Sequence, residues 1–173
     1  GTAEVRFTVE EGKEVYIGEI LFQGNTSFDA DDLEDVIETS TRGWLSWITE
    51  SGVLKKDVLA QDAAKIGVFY QNHGFIEAKV AEPVVEQKDD KLSITFAIEE
   101  GPRFRVGTVD VQGDLIESKE QLIDRLKIRK EEFLNRQVLR ADNLMLTDLY
   151  AEKGYALAEV RPKVDKAEDS KRV

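Results

Sequence analysis

The sequence predicts an α+β protein built as a tandem array of β-α-α-β-β units. The first sign is a repeated stretch. Glu10 to Asn25 returns at Glu99 to Asp114, in each case Glu-Glu-Gly, an extended run with a glycine six residues on (Gly18, Gly107), then Gln-Gly-Asn or Gln-Gly-Asp. The second is a pair of long segments with helical periodicity that each stop at a glycine, Gly74 and Gly154. The third is apolar alternation before each Glu-Glu-Gly, at Ala3, Val5, Phe7 and Val9 and again at Leu92, Ile94, Phe96 and Ile98.

In the repeated stretch, Ile20 and Phe22 alternate as a half-buried strand does, and so do Val109 and Val111. The earlier pairs Val15/Ile17 and Phe104/Val106 have the opposite parity, and the glycine sits at the phase change. A bulge there would turn the first half of the strand toward the preceding unit and the second toward its own core. Asp29 to Glu38 then reads as a short helix with Leu33, Val36 and Ile37 on one face, capped by Asp29 or Ser27. In the second unit Ser118 and Gln121 have capping-box spacing.

Aligned positions lie 89 residues apart before Arg42–Thr49 and 80 apart after it, so the first unit carries nine inserted residues. Trp44 and Trp47 in that insert are either an exposed anchor for a partner or a local core. A long helix follows from about Asp57 to Asn72, with Leu59, Ala63, Ile66, Phe69 and Tyr70 at helical spacing; its twin runs from Gln137 to Lys153. Ile76, Ala78 and Val80, like Ala156, Ala158 and Val160, form one face of a strand followed by proline (Pro83, Pro162). Proline lacks an N–H, so this strand belongs at a sheet edge. Lys88 to Lys91 is a polar hairpin turn into the strand Leu92–Ile98.

Composition narrows the function classes. Of 173 residues, 41% are hydrophobic and 34% charged, with three prolines, which describes a folded globular chain. Residues 13–100 carry 8 basic and 18 acidic residues, net −10, while residues 101–173 carry 15 and 14, net +1. So acidic a first unit repels phosphate backbones, and nucleic acid is excluded as a partner. With no cysteine there are no disulfides or thiolate metal sites. No apolar run approaches the ~18 residues of a membrane span, and no signal-peptide pattern stands at the N-terminus. Asp29, Asp31 and Asp32 fall in a first helical turn, where they suit the positive end of the helix dipole rather than a metal. His73, the only histidine, ends a helix with no nucleophile, second histidine or cysteine to work with. Neither an enzyme, a cofactor nor a metal is expected.

These motifs together resemble the POTRA (polypeptide-transport-associated) domain, carried in tandem by outer-membrane barrel-assembly proteins of the BamA type. The resemblance rests on Ile20-Leu21-Phe22-Gln23-Gly24-Asn25, on Phe69 to Phe75 with Ala78 and Val80, on Tyr150 to Tyr155 with Ala158 and Val160, and on the Glu-Glu-Gly junctions. It implies two helices on a small three-stranded mixed sheet in each unit. Residues 1–12 would be the last strand of a preceding repeat. Residues 13–100 would be a complete one resembling the third in the BamA type. Residues 101–173 would be one lacking its last strand, resembling the fourth.

The implied function is a scaffold at the periplasmic face of the bacterial outer membrane. It would receive unfolded outer-membrane proteins, dock accessory lipoproteins, and connect to the membrane through a C-terminal barrel absent from this sequence. A two-partner secretion transporter or a division-site protein is the alternative within the family. Glu77, Ala78, Lys79, Val80 and Ala81 are the candidate edge strand for recruiting partners by main-chain hydrogen bonds. Glu100, Gly101 and Pro102 are the candidate inter-domain hinge. Residues 3–10, a spare copy of the closing strand, are expected to support self-association by pairing with a neighbouring molecule.

Overall fold

The computed structural model describes residues 4–8, 16–41 and 56–166. Its first unit is organised on β4 (Lys91–Glu99), a strand that pairs on both sides. On one side β1 (Tyr16–Gln23) runs parallel to it. On the other, β2 (Lys79–Val80) and β3 (Val84–Lys88) lie antiparallel, one after the other, giving the mixed sheet that the family resemblance implied. Between Val80, opposite Ile98, and Val84, opposite Thr95, the edge advances four residues against three on β4. Pro83 sits in this break, where a residue without an N–H interrupts no ladder.

Leu92, Ile94, Phe96 and Ile98 turn one face of β4 into the core. Against them pack α2 (Lys56–Asn72), through Leu59, Ala63, Ile66 and Tyr70, and Leu33 of α1 (Ala30–Glu34). Gly18 does sit at an irregularity of β1, since Ile17 pairs with Leu92 and Glu19 with Ser93. Its effect differs from the expectation. The shifted register places Ile17 on the same core as Ile20 and Phe22, so both halves of the strand face inward.

α1 is shorter than the helix read over Asp29–Glu38. Asp29 caps it, in a reciprocal box with Asp32. It ends at Glu34 because the following chain is diverted to α2. There the wholly buried carboxylate of Asp62 accepts the N–H groups of Glu38 and Thr39 (both 2.9 Å) and the Thr39 hydroxyl (2.5 Å).

The second unit repeats this at the same offsets. Ser118 caps α3 (Lys119–Arg125) in a box with Gln121, and Leu122 replaces Leu33 in the core. Asp142, on α4 (Arg136–Glu152), accepts the N–H groups of Lys127 and Ile128 at 3.0 and 2.8 Å. Val106, Val109, Val111 and Val160 pack on this second core. Among the described residues of this unit the only ladder element is one bridge, Arg105 to Phe133, and none occupies the place of β4. Residues 4–8 pair with no described strand, and Val5 and Phe7 are exposed. The insert bearing Trp44 and Trp47 lies outside the described residues.

Gly24 and Gly113 close the repeated stretch, but only one of them is cramped. Gly24 has φ +86°, and a Cβ there would stand 2.1 Å from the Ile98 carbonyl oxygen; Gly113 has φ +113° and open space. Gly24→Ala is therefore expected to cost about 3 kcal/mol and Gly113→Ala about 1 kcal/mol. Urea unfolding of each variant measures this, and equal losses would contradict the close approach to β4.

Candidate protein-interaction site

The edge candidate of the sequence falls in three kinds of structure. Glu77 lies in the turn after α2 and Ala78 is buried behind it; Lys79 and Val80 form β2, and Ala81 follows as a non-strand residue. Ala81 nevertheless donates its N–H to Ala97 O at 2.9 Å. In an antiparallel pair hydrogen-bonding positions alternate, so Lys79 also turns its N–H toward β4. Val80, opposite Ile98, turns its N–H and C=O away, to the side of β2 where no described strand lies.

Beside this free edge is an open groove of about 460 Å³ between α2 and the segment Val80–Pro83. Ala60, Ala64 and Gly67 of α2 keep it open because they project so little side chain, and a Cβ on Gly67 would meet nothing within 4 Å. Val68 contributes an exposed apolar wall. One end is lined by Arg136, which belongs to the second unit.

Arg136 reaches the groove because the two units are joined by more than their linker. Gly74 ends α2 in the left-handed region (φ +95°), and a Cβ there would lie 3.0 Å from Phe104 O and 3.1 Å from Phe133 Cβ. Its carbonyl accepts the Phe104 N–H at 2.9 Å, and Phe104 O in turn accepts from Leu134 N–H. The Arg103 guanidinium lies 3.4 Å from the centre of the Phe133 ring and donates through Nε to His73 O at 2.8 Å. Asn72 accepts the Gln137 N–H with its side chain (3.0 Å), supplementing the Asn135 cap of α4. Gln71 accepts from Arg136 Nη1. His73 packs on Phe69 and Phe28 and shares a 2.7 Å hydrogen bond with Phe69 O.

Of the hinge candidates, Gly101 and Pro102 are exposed while Glu100 is held. Its carboxylate accepts from Thr26 Oγ1 (2.6 Å), Ser27 N–H and Oγ (both 2.8 Å) and the Tyr70 hydroxyl (3.0 Å). Burial by itself would raise the Glu100 carboxyl, but the hydrogen bonds from Thr26, Ser27 and Tyr70 outweigh it and hold the group below the usual carboxylate range. Burial, reinforced by Glu100, pushes the Tyr70 phenol upward and keeps it a donor. The acid thus ties the end of β4 to the loop after β1 and to α2.

Asp62, Asp142, Arg103, Phe133 and Arg136 were not singled out by the sequence. Asp62 could have been, since it stands three residues after Leu59 and four before Ile66, on the buried face of α2, and recurs 80 residues later. The contacts across the joint left no comparable periodic signal.

An α+β repeat array with a sheet edge that no described strand covers is the class these features define. The POTRA family model, described as surface antigen variable number repeat, matches residues 15–101 and again residues 104–173, and the chain belongs to this family. The outer membrane protein assembly factor BamA of Nitratidesulfovibrio vulgaris is 33% identical over 170 residues, which cover 96% of this chain and 22% of that protein. BamA of Neisseria meningitidis serogroup B is 29% identical over 160 residues, 91% of this chain and 20% of that protein. The chain thus spans about a fifth of the length of these relatives. Among solved structures, that of Haemophilus influenzae BamA POTRA3-5 matches with a TM-score of 0.71 over 89% of this chain and 61% of that one. At 20% identity this likeness shows the fold alone.

A carboxyl with a folded-state pKa below its unfolded value stabilises above the unfolded value, and that contribution is lost as pH falls through the folded one. Glu100→Gln is therefore expected to cost about 1–2 kcal/mol at neutral pH. Wild type should lose the difference on acidification to below the ordinary value of 4.5. Urea midpoints of both proteins across the acid range check this, and a gap independent of pH would contradict it.

Proposed function

We propose that this chain is a non-enzymatic, protein-binding segment of an outer-membrane protein assembly factor, working on the periplasmic side of the membrane. It holds extended segments of unfolded clients or accessory proteins by adding them as a strand to β2. The observation that carries the reading is the outward-turned N–H and C=O of Val80, which no described strand meets, beside an open groove. Main-chain pairing reads extended shape more than sequence and accepts many clients, while the groove takes the side chains that alternate to its face. Membership of the POTRA family and the names of the similar proteins, all assembly factors, favour this over a secretion transporter or a division-site protein. Residues 4–8, exposed and strand-like in pattern, are a segment of the kind such an edge would accept from a second copy.

Two substitutions test it with opposite effects on stability. Gly67→Leu puts a side chain into the groove, starting from a Cβ position with nothing within 4 Å, and replaces a helix-interior glycine, so it should stabilise the fold by up to about 1 kcal/mol while weakening binding of a short synthetic peptide of alternating valine and threonine by about tenfold. Val80→Pro should weaken the same binding by deleting the outward donor. Calorimetric titration gives the affinities; peptide binding at full strength in a folded Gly67→Leu protein would rule out the groove.

A further inference from the structure

The groove beside β2 is polarised, and its cation comes from the neighbouring unit. The chain reverses at Gly74 after α2, so Val80 lies toward the last turns of that helix and Pro83 toward its first. Gln71 and Arg136 therefore mark one end of the groove, and Glu82 and Pro83 the other. Arg136 is exposed and is bonded, among the described residues, only to the neutral Gln71 side chain. A guanidinium has five donors, so four remain for a ligand. Arg136 is also the first residue of the 17-residue α4, whose dipole adds positive potential at the same place. This cation faces a unit of net charge −10 over residues 13–100, and Glu82 is the one other charged residue lining the groove.

From this geometry we propose that Arg136 is a specificity residue for the edge: the docked strand carries a carboxylate at the Arg136 end and runs antiparallel to β2. The inference rests on the strand-addition reading above and deepens it. Main-chain pairing alone tolerates either direction, because the outward N–H and C=O of Val80 can serve a parallel or an antiparallel neighbour. Opposite charges at the two ends break that tie. A strand whose carboxylate follows its apolar residues can place it on Arg136, with its N-terminal end toward Glu82, only by running opposite to β2. The reverse direction brings the carboxylate against Glu82, and like-charge juxtaposition discriminates against it. An acidic side chain and a free chain terminus are the two sources of such a carboxylate, and both fit a planar guanidinium.

The test uses the full chain and four synthetic peptides sharing one alternating valine-threonine core. One ends in aspartate with an amidated terminus, one in asparagine with an amidated terminus, one in asparagine with a free C-terminal carboxylate, and one carries the aspartate at its N-terminal end. Fluorescence anisotropy is expected to show the C-terminal aspartate peptide binding about fivefold more tightly than its asparagine counterpart, the equivalent of one charge-assisted contact at a solvated site. A gain for the free terminus as well identifies the carboxylate rather than the side chain as what is read. Arg136→Gln should abolish the preference, leaving the aspartate and asparagine peptides bound equally, whereas a merely structural role for Arg136 would weaken both by the same factor and keep their ratio. Equal binding of the aspartate and asparagine peptides overturns the role of Arg136, a preference for the N-terminal aspartate overturns the antiparallel direction, and either result leaves strand addition standing. Failure of every peptide to bind overturns strand addition itself and this inference with it.

Discussion

Most of the first unit depends on a single constraint: β4 must satisfy hydrogen bonds on both of its sides. β1 takes one side in parallel register, and the broken edge β2–β3 takes the other. Its inward side chains, Ile94 and Phe96 foremost, are wholly buried and give both helices something to pack against. The close approach of Gly24 to Ile98 and the anchoring of Glu100 by Thr26, Ser27 and Tyr70 are both fixed at its far end. The free edge follows from the same constraint. A strand that pairs with β4 on one side and with no other described strand must face outward with its remaining main-chain groups, and at Val80 it does so beside a groove rather than a wall.

The second recurring device is a buried carboxylate that holds a loop to the long helix. Asp62 and Asp142 each accept two backbone N–H groups from the segment after the short helix. Leaving the buried N–H groups of Thr39 and Ile128 without an acceptor would cost about 1–3 kcal/mol apiece, so an aspartate on an otherwise apolar helix face is favourable where it looks wasteful. α2 is then held at three places: by Asp62 in its middle, by Tyr70 to Glu100, and by its last residues to the second unit. The groove depends on all three, because its walls are α2 and β2 and its end is Arg136.

Much of this was legible in the residues. The 89- and 80-residue offsets identified the repeat and locate equivalent caps, Asp29 and Ser118, and equivalent helix ends, Gly74 and Gly154. Proline after Val80 marked the edge, because a missing N–H is a local property. The direction of Val80's N–H was not legible, since it depends on register with β4. Nor was the side to which Ile17 turns, because the bulge at Gly18 changes parity by an amount only the partner strand reveals. The joint was read from its linker, Glu100 to Pro102, whereas the contacts across it involve His73, Arg103, Phe133 and Arg136, brought together from distant parts of the chain without periodic spacing.

The central claim is that a docked segment pairs with the free side of β2, and amide hydrogen exchange at single residues tests it most directly. In the free protein the Lys79 amide, turned to β4, should already exchange more slowly than that of Val80. On saturation with the alternating valine-threonine peptide, the Val80 amide should become protected while Lys79 changes little. Protection that appears along β1 instead, with Val80 still exchanging as in the free protein, would contradict the account.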